Sequence, residues 1–285
     1  MPPVTPPPTP DGTGPGAAAD GRRWLSPPRG RLITMEGVWG AGKTTAAHLV
    51  SRQLRQAGFT TTVIHYGGEA GTVGRLSQFL EAAPLRSRTG LGGYTSAHHG
   101  TVDVLLRLCR EAHHHLHGFG PALAAHDVVI VDRGVYAKLA WALAVLTETT
   151  PQTNPAALLA RLWAMAAPWF CQPDVPVFLD TPWPLARERA ISRGRGGGNP
   201  AAIERLMFLP RYVAAYHRVL ADPVPPAVRV RVGLRSAGEV ADEITTVLLD
   251  TLQASPPAGT PTPAPRPPGA APTGRREATG HVDVS

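Results

Sequence analysis

The sequence predicts an α/β protein built on a five-stranded parallel sheet with helices on both faces. Three observations predict it. Short β-branched and aliphatic runs alternate with longer stretches of helical periodicity. Successive runs are separated by segments long enough for a crossover rather than a hairpin. One run, Asp127–Asp132 (DVVIVD), is almost continuously apolar, as expected of a strand buried on both faces of a parallel sheet.

In chain order, Leu32–Glu36 is the first strand, and Thr44–Ala57 runs helically until Gly58 stops it. Thr60–His65 reads as the second strand and Tyr66–Gly74 as a glycine-rich loop. Val102–His117 has helical periodicity, Asp127–Asp132 is the third strand, and Val135–Leu146 and Pro155–Ala167 are helices. Val175–Asp180 is the fourth strand, followed by a helix over Pro184–Ser192 and another over Ile203–Leu220. Val228–Val232 is the fifth strand and Glu239–Leu252 the closing helix, with no internal repeat.

The chain has 285 residues, and its 31 prolines are uneven: nine lie in residues 1–30 and eight in residues 254–285. Those ends have almost no large apolar residues to offset chain entropy, so both are expected to be disordered tails. The folded domain is expected over residues 31–253, enough for one well-buried core. Cys109 and Cys171 are the only cysteines, too few for a disulfide framework or a four-ligand zinc site. With no signal peptide and no uninterrupted apolar span, the chain reads as a cytoplasmic protein with no membrane partner. The net charge of +7 invites a nucleic-acid partner. However, Lys43 and Lys138 are the only lysines and the arginines are scattered without an aromatic-interleaved stripe, so no nucleic acid is expected. Sites for phosphate ligands account for scattered arginines equally well.

Gly37-Val38-Trp39-Gly40-Ala41-Gly42-Lys43-Thr44 fits G-x-x-x-x-G-K-[ST] between the first strand and the first helix, the context of a P-loop. The expected fold is therefore the three-layer P-loop NTPase arrangement, with ATP and Mg2+ as cofactors. Glycines let consecutive backbone N–H groups turn inward at a helix N-terminus, where positive partial charge favours phosphate. Gly37 through Thr45 form the expected ATP-binding segment, with Lys43 reaching the β- and γ-phosphates and the Thr44 hydroxyl on Mg2+. Asp132 ends the third strand where a second Mg2+-directed carboxylate belongs, at the carboxyl edge of an open parallel sheet. Arg133 beside it is the candidate clamp for an acceptor phosphate. Arg193 and Arg195, on the glycine-rich stretch 193–200, are candidate catalytic residues of a lid. His113, His114, His115 and His117 are taken as a polar helix end rather than a metal site, and Trp163, Trp169 and Phe170 as core.

Residues Glu36–Thr45 (EGVWGAGKTT) resemble the opening of thymidylate kinases, which are P-loop nucleoside monophosphate kinases. Val129–Trp141 is similar to that family's Asp-Arg segment. Phe178-Leu179-Asp180 with Ala186–Arg189, Arg193 and Gly194 resembles its fourth strand and lid approach, and Arg211, Tyr212, Tyr216 and Leu220 also fit. The resemblance spans Leu32 to Leu252. It implies phosphoryl transfer from ATP to a nucleoside monophosphate, dTMP to dTDP foremost, and often a homodimer. It also implies that Lys43 and Thr44 serve ATP and Mg2+, Asp132 the metal, Arg133 the acceptor, and Arg193 or Arg195 the transition state. Gly40 matches the subclass that carries its basic residue in the lid instead of the P-loop. The departures lie on the acceptor side. Trp39 replaces an acidic residue near the acceptor sugar, Ile64–Glu69 replaces Arg-Glu-Pro-Gly-Gly-Thr, and Ala142 follows the aromatic Trp141. The stacking Phe and its following Arg become Leu106 and Arg110, or Arg107 and Glu111, depending on register. A kinase for another nucleotide, nucleoside or small metabolite stays open, as does a nucleotide-binding regulator without kinase activity.

Overall fold

A computed structural model describes residues 30–65, 71–81, 100–149, 151–194, 201–221, 223 and 225–254. Residues 1–29 and 255–285 of the two expected tails and residues 195–200, including Arg195, lie outside the described residues.

Five strands are described: β1 (Arg31–Glu36), β2 (Thr61–Ile64), β3 (Val128–Asp132), β4 (Val175–Asp180) and β5 (Val228–Arg231). They form one sheet in the order β2-β3-β1-β4-β5, and all four pairings are parallel. Every residue of β3 is buried, as its apolar run predicts. The helices are α1 (Lys43–Gln56), α2 (Gly71–Glu81), α3 (Gly100–His114), α4 (Gly120–Ala125), α5 (Val135–Thr149), α6 (Pro155–Ala166), α7 (Trp183–Gly194), α8 (Ala201–Val219) and α9 (Ala237–Ala254). Alternate residues of the central strands feed two apolar clusters. Leu32, Val129 and Val131 meet Phe119 and Leu123, while Ile33, Met35 and Ile130 join the main core with α1, α5, α8 and α9. Helix α9 starts with a reciprocal cap in which the Glu239 N–H donates to Ser236 Oγ and the Ser236 N–H donates to Glu239 Oε2.

Chain order places the chemistry. From β1 the chain crosses to β2 and returns through β3 on one side of β1, and then proceeds to β4 on the other. The crevice at that reversal, beyond the carboxyl ends of β1 and β3, is where an open sheet of this kind binds ligands. Met35 pairs with Asp132 across β1 and β3, so both strands end at one level.

Four expectations are corrected. The loop expected over Tyr66–Gly74 is helical from Gly71, because Val73 and Leu80 are spaced to bury one face and that packing against α3 outweighs the glycines. Residues 66–70 are not described. The helix expected to run to His117 widens into a π-helical segment, His115–Phe119, before α4. Pro121 has no N–H to offer the carbonyl four residues back, and the preceding turn loosens accordingly. The histidine run is not simply a polar end. His115 is buried against Phe119 and Phe170 and accepts the Cys171 N–H at Nδ1, and burial holds its imidazole down to about 3. No group of three or more metal-ligating side chains stands together among the described residues. Trp169 is 53% exposed, since the turn after α6 directs Phe170 inward instead, while Trp163 packs edge-on against Tyr136.

Candidate active site

The β1–α1 loop is shaped by glycines in the left-handed region. Gly40 has φ 83° and lies so close to α7 that a Cβ there would stand 2.0 Å from the Ala186 carbonyl oxygen. Gly42, at φ 96°, is the N-cap of α1, which has no side-chain cap and no acidic residue in its first turn. The first amides of α1 are thus left for an anionic ligand, at the positive end of a 14-residue helix. Ala41 N–H donates to the Val38 carbonyl and Ala46 N–H to the Gly42 carbonyl, which closes the loop onto the helix. Gly37, Val38, Trp39, Gly40, Ala41 and Gly42 form the loop, and Lys43, Thr44 and Thr45 open α1, all as the sequence predicts.

Lys43 is 5% exposed, and its Nζ donates to the Val38 carbonyl at 2.7 Å. Burial, reinforced by the Arg133 charge, holds its ammonium down to about 7. A buried cation whose described hydrogen bond is to a backbone carbonyl is poised to gain from a nearby phosphate. Thr44 Oγ1 donates to Asp132 Oδ2 at 2.5 Å, so the two residues predicted to share a metal are in contact. Asp132 is 7% exposed, and its other oxygen, Oδ1, has no hydrogen-bond partner among the described residues. A buried carboxylate oxygen without a donor, beside a threonine hydroxyl, fits a hard cation such as Mg2+.

Arg133 is the single non-glycine residue with positive φ among the described residues, at 77°. Its N–H donates to the Met35 carbonyl, and the turn requires Gly134 next, where a Cβ would come 2.5 Å from Glu36 Oε1. Glu36 is fully buried at the end of β1, with Oε2 accepting from the Ala137 N–H at 2.8 Å and from the Tyr216 hydroxyl at 3.5 Å. Burial pushes its carboxyl up to about 7. Glu36 and Tyr216 tie β1 to α5 and α8 beneath the P-loop.

Arg193, at the end of α7, lines a cavity of about 250 Å³ with Arg189, Arg235, Gly42 and Thr45. The cavity adjoins the start of α1. On the other side of Asp132, helices α3 and α5 face each other in two rungs. The Arg107 guanidinium lies 5.0 Å over Trp141, held by Asp103 and the Leu80 carbonyl. One turn on, buried Glu111 receives Arg110 at 2.9 Å and lies 3.7 Å from Lys138. Burial raises Glu111 and lowers Lys138, and each draws the other back toward its charged form. The residues turned to α5 are therefore Arg107 and Glu111. Trp39 packs against Tyr212 at 4.9 Å and Phe208 at 5.9 Å between ring centroids.

Sequence reasoning did not single out Glu36, His65, Arg189, Arg235 or the Glu111–Lys138 contact. A signal existed for two of them: Glu36 is a lone charge at the end of an apolar strand, and Lys138 is one of only two lysines in the chain.

No family model matches the chain. It is 30% identical over 190 residues to the thymidylate kinase of Bordetella pertussis (strain Tohama I), covering 67% of this chain and 81% of the relative. It is 30% identical over 223 residues to the thymidylate kinase of Solidesulfovibrio magneticus, covering 76% of this chain and 98% of the relative. To the thymidylate kinase of Geotalea uraniireducens it is 27% identical over 227 residues, covering 78% and 98%. Among solved structures, the thymidylate kinase from Candida albicans superposes with a TM-score of 0.54 at 20% identity, over 79% of this chain and 92% of that one, a likeness of fold.

Proposed function

The chain belongs to the thymidylate kinase family of nucleotide kinases, and we propose that it transfers the γ-phosphoryl group of ATP to dTMP with Mg2+, using Lys43, Thr44, Asp132, Arg133 and the lid arginines. The observation that carries this reading is the meeting of the P-loop and the end of β3. Thr44 bonds Asp132, while Lys43 and the uncapped amides of α1 converge beside them.

The α1 amides and Lys43 bind the β- and γ-phosphates, with Lys43 exchanging the Val38 carbonyl for phosphate oxygens. Thr44 and Asp132 would hold the metal, which would supply charge neutralisation for the phosphates. Arg133, fixed by its backbone turn, orients the acceptor phosphate for in-line attack. Arg193 and Arg195 meet charge on the transferring group, since Gly40 leaves the P-loop without a cation of its own at that position. Arg189 and Arg235 border the cavity that receives the nucleoside part of ATP.

A second reading, a kinase for a different nucleoside monophosphate, draws on Trp39 against Tyr212 and on the Glu111–Lys138 rung. Both sit on the acceptor side, where buried polar groups set discrimination between bases. Measuring ADP release with dTMP against a panel of other nucleoside monophosphates and nucleosides separates the two. dTMP is expected to give the highest kcat/KM, and a higher value for another acceptor selects the second reading.

The reading includes a cytoplasmic homodimer. Val102 and Leu105 of α3 and Leu116 just beyond it, each more than 40% exposed, supply an apolar surface for it. Sedimentation equilibrium should return twice the 30.1 kDa chain mass. No described helix is long and apolar enough to cross a membrane.

A further inference from the structure

A closed ring of contacts surrounds Asp132. Thr44 and His48 stand one turn apart on the same face of α1. Thr44 Oγ1 donates to Asp132 Oδ2. His65, just past β2, places Nδ1 3.3 Å from that same oxygen, and its Nε2 lies 3.0 Å from Nε2 of His48, which returns the ring to α1. The two imidazole planes are tilted at 41°, with centroids 4.9 Å apart. Three elements, α1, β2 and β3, are thus joined through one carboxylate.

The contacts are consistent with one arrangement of protons. A carboxylate oxygen accepts only, so a hydrogen bond at this contact requires hydrogen on Nδ1 of His65. In the tautomer with hydrogen on Nδ1, the Nε2 of His65 accepts and the Nε2 of His48 donates. Both the Thr44 hydroxyl and the His65 Nδ1 approach Oδ2 of Asp132, and Oδ1 is left buried without a partner among the described residues.

We infer that His65 and His48 are positioning residues that fix the Asp132 carboxylate with Oδ1 presented to the divalent cation. This rests on the reading of Asp132 as a metal ligand. A ligating carboxylate that is itself hydrogen-bonded keeps its orientation and its charge distribution, and loss of such a partner lowers metal affinity about 10–100-fold. His65 has a ring nitrogen 3.3 Å from Asp132 Oδ2, within reach for that role, and His48 contacts the opposite nitrogen and so favours the tautomer in which Nδ1 carries hydrogen.

The test is a titration of the full-length chain, with ADP present, by Mn2+ followed by electron paramagnetic resonance, together with metal-free ADP affinity and thermal unfolding of each variant. H65A is expected to weaken Mn2+ about 10–100-fold with metal-free ADP affinity unchanged. H65N, whose amide N–H takes the place of Nδ1–H, is expected to recover most of the loss. H48L should weaken Mn2+ as well, and H48Q, which keeps a donor toward His65, should not. If D132N lowers Mn2+ affinity while H65A and H48L leave it at the wild-type value, the positioning role is overturned and the metal-ligand reading stands. If H65N is as impaired as H65A, the donor role is likewise overturned. If D132N itself binds Mn2+ like the wild type, the metal-ligand reading fails first.

Discussion

Thr44 and Asp132, 88 positions apart in the chain, are joined by a hydrogen bond of 2.5 Å from the threonine hydroxyl to one carboxylate oxygen. One belongs to the first turn of α1 and the other to the last position of β3, so the contact reports the docking of the P-loop against the sheet edge. Replacing Thr44 by Val keeps the shape and removes the donor. Activity with saturating ATP should fall on the order of 10²-fold, while unfolding free energy changes by about 1 kcal/mol. Steady-state kinetics and denaturant titration check the two halves.

Lys43→Met should separate catalysis from stability. The ammonium is buried and held down to about 7, so a Met of similar length relieves a desolvation cost. Phosphoryl transfer is expected to fall on the order of 10³-fold or more, with a melting temperature equal to or above the wild type. Differential scanning calorimetry on the ligand-free protein gives the second value.

Two glycines of the P-loop should respond differently to alanine. At Gly40 the new Cβ meets the Ala186 carbonyl at 2.0 Å and φ is 83°, whereas at Gly42 it meets nothing within 4 Å and only φ 96° opposes it. Gly42→Ala should cost about 1–2 kcal/mol, the left-handed penalty alone, and Gly40→Ala more. Urea unfolding of both variants orders them.

Glu36 predicts a pH dependence. Its carboxyl is at 4.5 in a model peptide and about 7 when folded, so between those values the folded state holds a proton that the unfolded state has released. Its contribution is fully present below about 4.5 and is lost as pH rises through 7. The loss is on the order of 3 kcal/mol. Glu36→Gln keeps an oxygen for the Ala137 N–H and removes the titration. The wild type should therefore lose stability relative to Glu36→Gln between pH 4.5 and 7, as measured by denaturant midpoints across that range.

Arg193→Ala combined with Arg195→Ala should lower kcat on the order of 10³-fold and change ATP binding little, because a contact made to the transferring group acts on the chemical step. A raised KM with kcat retained would mark ground-state contacts instead.

Much of this was legible before any coordinates. The P-loop is a local motif whose glycines, lysine and threonine are contiguous, and β3 announces itself by an apolar run ending in Asp132. Those two signals alone pointed to the carboxyl ends of β1 and β3 as the candidate site. The contacts that escaped are those between distant segments. Nothing in the sequence brings His48 and His65 together, because their meeting depends on how β2 lies beside α1. Helix α2 was hidden because Gly71 and Gly74 suppress local helix propensity, and its apolar face has meaning only against α3. His115 looked polar in a run of histidines, yet its burial is decided by Phe119 and by Phe170, which lies 55 positions on from His115. The register of α3 was likewise undecidable until Trp141 and Lys138 of α5 selected Arg107 and Glu111.

The most direct measurement follows the terminal phosphoryl group itself. ATP labelled at the γ-phosphate is incubated with the protein, Mg2+ and dTMP, and the products are separated. The label is expected in dTDP, in proportion to ADP formed, and absent when Lys43→Met replaces the wild type. Label recovered as free phosphate at a rate indifferent to dTMP, or ATP bound and never turned over with any acceptor, would contradict phosphoryl transfer by this site.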